Sequence, residues 1–240
     1  MQTQPLSSLD PAAQLDQLMY RVSHDLSASA RALVELPNWI LEDLTHAEIA
    51  LPDEVRENLD FMRINSRRLD RMVRDLLEYS RVGRNQKVGD VSMSEVLSEI
   101  LDDTPLPTGF QMSVDFPQTV VKFAQPDFQR LCNAMLTNAI KHHDRSEGQI
   151  DFLVEVEEDH IKLEVTDDGP GVPMARQEHV FEILTTLKPR DEVEGSGMGL
   201  AVARRIVHHY GGEISMTSPV DGFGGRGTSV TAILLLSGPV

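Results

Sequence analysis

The nonapeptide VTDDGPGVP at residues 165–173 decides how the rest of the chain is read. An apolar run marked by Ile161, Leu163 and Val165 ends there in two carboxylates, and Gly169, Pro170 and Gly171 follow as a turn. Two glycines one residue apart after a strand remove the Cβ atoms that would block a planar ligand, and they permit positive φ. Asp167, at the strand end, stands where it can accept a hydrogen bond from an amino group on such a ligand. Taken alone, the nonapeptide favours a tight turn with solvated acids. A second cluster, Gly195-Ser196-Gly197-Met198-Gly199, shifts the balance because it runs straight into a helical pattern at 200–210. A glycine-rich loop feeding a helix N-terminus favours phosphate, since its N–H groups and the helix dipole both attract negative charge.

The chain has 240 residues, enough for two small domains or one large one, and its 40% hydrophobic content supports a buried core. The formal net charge of −16 argues against nucleic-acid binding, which needs phosphate neutralisation, and against anionic membrane surfaces. No stretch approaches the roughly 20 apolar residues of a membrane span. The N-terminal MQTQPLSSLD lacks the basic region and apolar core of a secretory leader, so a cytoplasmic location without membrane insertion is expected. Cys132, the single cysteine, lies in an apolar helical run and reads as an inert core residue.

Residues 12–47 read as a long helix, with Leu15, Leu18, Val22, Leu26, Leu33, Leu36, Ile40 and Leu44 spaced mainly by threes and fours. Pro37 predicts a kink. After Leu51-Pro52-Asp53 a second helix carries Val55, Leu59, Met62, Ser66, Leu69, Val73, Leu76 and Ser80 in a heptad seam. A two-helix hairpin cannot bury a whole seam alone, so a homodimer pairing two hairpins as a four-helix bundle is expected. The polar, glycine-containing stretch RVGRNQKVGD marks a linker, which gives a helical hairpin at 1–82, a linker at 83–92 and a second domain at 93–240. In the second domain, helices are expected at 94–101, 126–142 and 200–210. Strands are expected at 111–116, 119–123, 149–156, 160–166, 213–217 and 228–236. That order predicts an α+β sandwich with a mixed sheet and helices on one face.

Five strings now line up. NAIKHH at 138–143, DDGPG at 167–171, FEI at 181–183 and GSGMGL at 195–200 follow the order of the ATP-binding domain of sensor histidine kinases, and SHDL at 23–26 resembles their phosphoacceptor box. Each string alone is weak, but five in this order and context are specific. The resemblance spans about residues 12–236 and implies ATP and Mg²⁺ as cofactors, with a response-regulator receiver domain as partner. It implies that His24, whose neutral ring carries a lone pair near pH 7, attacks the γ-phosphoryl group, and that Asp25 orients the ring and takes a proton. It makes Asn138 the Mg²⁺ ligand, Lys141 a phosphate contact and His142 a neighbour of the nucleotide. Asp167 would bind the adenine amino group, with Gly169 and Gly171 giving the base room. Residues 172–195 would form a lid anchored by Phe181, with Lys188 and Arg190 as candidates for neutralising phosphate charge. The loop of Gly195, Ser196, Gly197, Met198, Gly199 and Leu200 would line the phosphates, chiefly through glycine N–H groups. GGRGTSV at 224–230 resembles the last box, with Gly227 close to the site and Thr228 behind the adenine. His142, His143 and Asp144 are not expected to form a metal site, because adjacent residues diverge on a helix.

The departures from the family pattern are informative. Ser29 stands where the family commonly has proline. Ala28 stands where relatives that act as phosphatases carry threonine or asparagine. Ala134 stands where many relatives have a second asparagine, with Asn133 one position off that face. The first dozen residues are too few to fold as a sensor, so input is expected from a separate sensor protein or module. Two other readings stay open: a phosphotransfer scaffold with an idle nucleotide site, and another ATPase of this fold, such as a serine-phosphorylating anti-sigma kinase.

Overall fold

The computed structural model describes residues 11–84, 87–187 and 195–236, and the chain divides into two units between Arg81 and Val82. The first unit is a hairpin of α1 (Pro11–His46) and α2 (Asp53–Arg81). Asp53 and Glu54 occupy the first turn of α2 and Arg81 its last, matching the helix dipole at both ends. The helical span of α1 runs through Pro37 without a break. Ser23, Ala30 and Pro37 are buried on α1, and Leu59, Asp70, Val73 and Ser80 on α2. Asp70, an acid inside the seam, is held by an ion pair with Arg74 one turn on. Leu18, Val22, Leu26, Leu33, Leu36 and Ile40 on α1, with Val55, Met62 and Leu69 on α2, remain exposed in the single chain. Much of the apolar periodicity is therefore not consumed within one hairpin. The side chain of Leu15 lies outside the described residues. No helix among the described residues is long and apolar enough to cross a membrane.

The second unit contains β1 (Gly89–Ser92), α3 (Met93–Asp103), β2 (Phe110–Asp115), β3 (Val120–Phe123), α4 (Gln125–Lys141), β4 (Gly148–Val156), β5 (His160–Asp167), α5 (Gly199–His209), β6 (Glu213–Thr217) and β7 (Thr228–Leu235). Five strands form a mixed sheet in the order β2-β4-β5-β7-β6. The β2–β4 pair is parallel and the other pairs are antiparallel. Alternate residues point to opposite faces of a strand, so Ile150, Phe152 and Val154 on β4, Ile161, Leu163 and Val165 on β5, and Val230, Ala232 and Leu234 on β7 bury one common face. Phe128, Leu131, Met135 and Leu136 of α4, with Ala203, Ile206 and Val207 of α5, supply the opposing layer of the core. The other face of β4 and β5 carries Asp151, Glu155, Lys162 and Glu164, none of them buried.

The linker reading of 83–92 is corrected over its last four residues. Gly89–Ser92 form β1, paired antiparallel with β3, and Ser92 then caps α3 by accepting the Glu95 N–H at 3.4 Å. A four-residue strand with one buried apolar residue, Val91, shows no legible alternation, and its partner lies some thirty residues away. Val82 is also buried and groups with the second unit.

Candidate functional site

Asp167 is the last residue of β5 and pairs with Thr228, the first of β7. The backbone turns away at this point, leaving a buried carboxylate at a strand end. Its Oδ1 accepts the Gly169 N–H at 2.9 Å, and the Thr228 N–H is also directed at it. Burial strips water from the carboxylate and pushes its pKa up to about 6, against the pull of these N–H groups. A Cβ on Gly169 would lie 2.6 Å from Asp167 Oδ1. Gly227 has φ +84°, and a Cβ there would lie 2.6 Å from the Asp167 carbonyl oxygen. Its N–H donates to the Gly169 oxygen at 2.9 Å, so the two segments flanking Asp167 meet backbone to backbone.

A polar knot outside the sequence boxes holds the same turn. Ser218 Oγ accepts the Val172 N–H at 2.8 Å and donates to the Gly227 oxygen at 2.7 Å. Gln177 Nε2 donates to the oxygens of Val172 and Ser218, at 3.0 and 2.6 Å. Nothing in the local sequence marks Ser218 or Gln177, because their partners are main-chain atoms of distant segments.

Asn138, Lys141 and His142 occupy the last turn and C-cap of α4. Asn138 is half-buried, and its side-chain amide has no hydrogen bond among the described residues, while its backbone oxygen accepts the His142 N–H. Lys141 is exposed. Among the described residues no three His, Cys, Asp or Glu side chains gather in a way that could hold a metal. The Asn138 amide oxygen is a hard ligand, of the kind that suits a cation which keeps most of its own waters. Asn133 is turned toward the end of α3, with Thr104 Oγ1 donating to its Oδ1 at 3.4 Å, so it does not stand in for the missing amide at Ala134.

The glycine loop divides its labour between side chains and backbone. Ser196, Met198 and Leu200 are buried, and Ser196 Oγ accepts the Met198 N–H at 3.2 Å. These three side chains anchor the loop. Gly195 and Gly199 have open space where a Cβ would project, and α5 begins at Gly199 with no side-chain cap. Uncapped first-turn N–H groups are the part of this loop suited to phosphate. In the lid segment, short 3₁₀ turns at Met174–Arg176 and His179–Phe181 bury Phe181, and Glu178 pairs with Arg204 of α5 at 2.9 Å. Lys188 and Arg190 lie outside the described residues.

In the first unit, the His24 side chain is 67% exposed. Its Nδ1 lies 3.2 Å from Asp25 Oδ1, and Tyr20, one turn earlier, is stacked at 6.3 Å between ring centroids. A proton on Nδ1 shared with the carboxylate leaves the Nε2 lone pair facing outward.

Residues 124–238 match the family of histidine kinase-, DNA gyrase B- and HSP90-like ATPases. The chain is 28% identical over 215 residues to sensor protein KdpD of Escherichia coli (strain K12), a match covering 85% of this chain and 23% of KdpD. Full-length ShkA in complex with AMPPNP superposes with a TM-score of 0.68 at 17% identity, covering 93% of this chain and 47% of that one. Histidine kinase ThkA in complex with response regulator protein TrrA gives 0.58 at 16% identity, covering 90% and 61%. At these identities the structural likeness establishes fold. The chain spans about a quarter of the length of the first curated relatives it matches, 23% and 24%. Residues 124–238 of the second unit thus resemble that family. Hairpin and second unit together resemble the core of sensor histidine kinases.

Proposed function

We propose that the protein binds Mg·ATP in its second unit, phosphorylates His24 and passes the phosphoryl group to an aspartate of a response-regulator receiver domain. The observation that carries this reading is His24 itself, an exposed imidazole whose Nδ1 is held by Asp25, in a chain whose other unit resembles an ATPase module. Asp167 accepts the adenine amino group, Gly169 leaves its carboxylate clear, Gly171 and Gly227 let the flanking segments pack closely around it, and Thr228 lies behind the base. Asn138 and Lys141 face the phosphate end, and the backbone N–H groups from Gly195 to Gly199 hold the phosphates. Asn138 is the residue that would hold Mg²⁺, which when bound neutralises phosphate charge.

In the transfer, the Nε2 lone pair forms a bond to the γ-phosphorus while the bond from that phosphorus to the β,γ-bridging oxygen breaks, and ADP leaves. Asp25 takes up the positive charge that develops on the ring by accepting the Nδ1 proton. Catalysis rests on positioning and charge neutralisation. The exposed apolar positions of α1 and α2 support a homodimer, in which a second hairpin covers them.

Incubation with γ-labelled ATP tests the proposal. Wild-type protein is expected to acquire label that is acid-labile and alkali-stable, and His24→Gln to acquire none. Acid-stable label, or label retained in His24→Gln, overturns it.

A further inference from the structure

The geometry around His143 points to a role for a residue to which the family resemblance assigns none. We propose that His143 is a positioning residue for the adenine end of the site, acting through Asp168; this rests on the reading that the site holds ATP. His143 follows α4 by two residues, and its side chain is 1% exposed. Its Nδ1 accepts the Arg145 N–H at 3.1 Å, so the ring proton resides on Nε2, which donates to Asp168 Oδ1 at 2.9 Å. The opposite tautomer would donate to the Arg145 oxygen over a long 3.4 Å and set a bare Nε2 against a carboxylate oxygen. The same Asp168 oxygen accepts the Gln149 N–H at 2.7 Å, and the Asp168 N–H donates to the Gln149 oxygen at 3.2 Å.

The ring is seated for this purpose. Phe110, at the start of β2, meets it edge-on at 5.0 Å, and a Cβ on Gly148, at the start of β4, would lie 2.8 Å from Nε2. One imidazole therefore ties the end of α4, the starts of β2 and β4 and the turn after β5. Asp167 is bonded directly to Asp168, so this peg fixes the backbone from which the Asp167 carboxylate projects, while the Gly169 and Thr228 N–H groups hold the carboxylate itself. The helix that ends at the peg carries Asn138 and Lys141, which makes His143 the fixed point between the phosphate end and the base end. A second tie joins the same loop to the far wall, with Arg226 donating to Asp144 Oδ1 at 2.6 Å, immediately before Gly227.

Two variants separate the hydrogen bond from the packing. His143→Phe keeps an aromatic ring but has no N–H, and His143→Gln keeps an N–H donor. For His143→Phe the Kd for ADP by calorimetry and the KM for ATP in autophosphorylation are expected to rise about tenfold, the loss of one charge-assisted hydrogen bond, with the rate at saturating ATP within about twofold of wild type. His143→Gln is expected to bind ADP within about threefold of wild type. ADP affinity unchanged in His143→Phe, or equally weakened in both variants, overturns the proposal. If His143→Phe does not fold, Asp168→Asn, which keeps an acceptor, is compared with Asp168→Ala, and equal ADP affinities overturn it. Wild-type protein that fails to bind ADP overturns the nucleotide reading and this proposal together. Wild-type binding with no effect of the variants overturns the positioning role alone.

Discussion

Asp167 and Thr228 face each other across the β5–β7 ladder, and the Thr228 N–H is aimed at the Asp167 carboxylate. A strand-end carboxylate held by main-chain N–H groups keeps one geometry without needing a basic partner. It is therefore preorganised to accept a hydrogen bond from a neutral amino group. The cost is desolvation, and that cost can be measured.

Replacing Asp167 with Asn separates stability from binding. The folded pKa of about 6 lies above the ordinary 3.8, so the stability linked to Asp167 is fully present below pH 3.8 and is lost as pH rises through 6. Asn carries no charge to desolvate and keeps an acceptor for the Gly169 N–H. Denaturant titration is expected to show Asp167→Asn more stable than wild type at pH 8, by up to about 3 kcal/mol, and no more stable at pH 4. Binding of a fluorescent ATP analogue should be lost. A variant less stable than wild type at pH 8 contradicts the desolvation account.

Asp25→Ala tests the pairing at Nδ1. Both groups are solvated, so the melting temperature should barely move, while the initial rate of histidine phosphorylation should fall by about 10²-fold. A wild-type rate would show that the 3.2 Å contact has no part in the chemistry.

Gly227→Ala adds one methyl group where φ is +84° and the Asp167 carbonyl lies 2.6 Å away. A loss of about 2 kcal/mol or more is expected from chemical denaturation, together with lost nucleotide binding. An unperturbed variant would mean that the two segments stand further apart.

Asn138→Ala removes an amide that has no hydrogen bond among the described residues, so folding stability should stay within about 0.5 kcal/mol of wild type. The Mg²⁺ concentration needed for half-maximal autophosphorylation should rise at least tenfold. A Mg²⁺ dependence matching wild type would remove Asn138 from the metal.

Ala28 lies on the exposed side of α1, one turn after His24, and has no polar group to position a water. Dephosphorylation of a phosphorylated receiver domain by the purified protein is expected to be slow, and Ala28→Thr to accelerate it. Rapid Mg²⁺-dependent dephosphorylation by wild type would count against this reading.

The glycine turns, the exposed histidine and the strand alternation were legible because each rests on local physics. Backbone reach, positive φ and a period of two or 3.6 are properties of a few consecutive residues. The local rules carried no signal that Ser196, Met198 and Leu200 turn their side chains inward to anchor the glycine loop. They also passed over β1, which is too short for a pattern and exists because β3 offers it an edge.

By itself, then, the amino-acid order determined the two-unit plan, the seam that a single hairpin leaves open, and the residue types gathered at the turn after β5. Tertiary structure alone decided that His143 reaches Asp168, 25 positions on, and that Asp144 reaches Arg226, 82 positions on. Periodicity encodes which face of an element is apolar. It carries no record of which distant donor will meet a given acceptor, because that pairing depends on how the sheet and its helices close over one another.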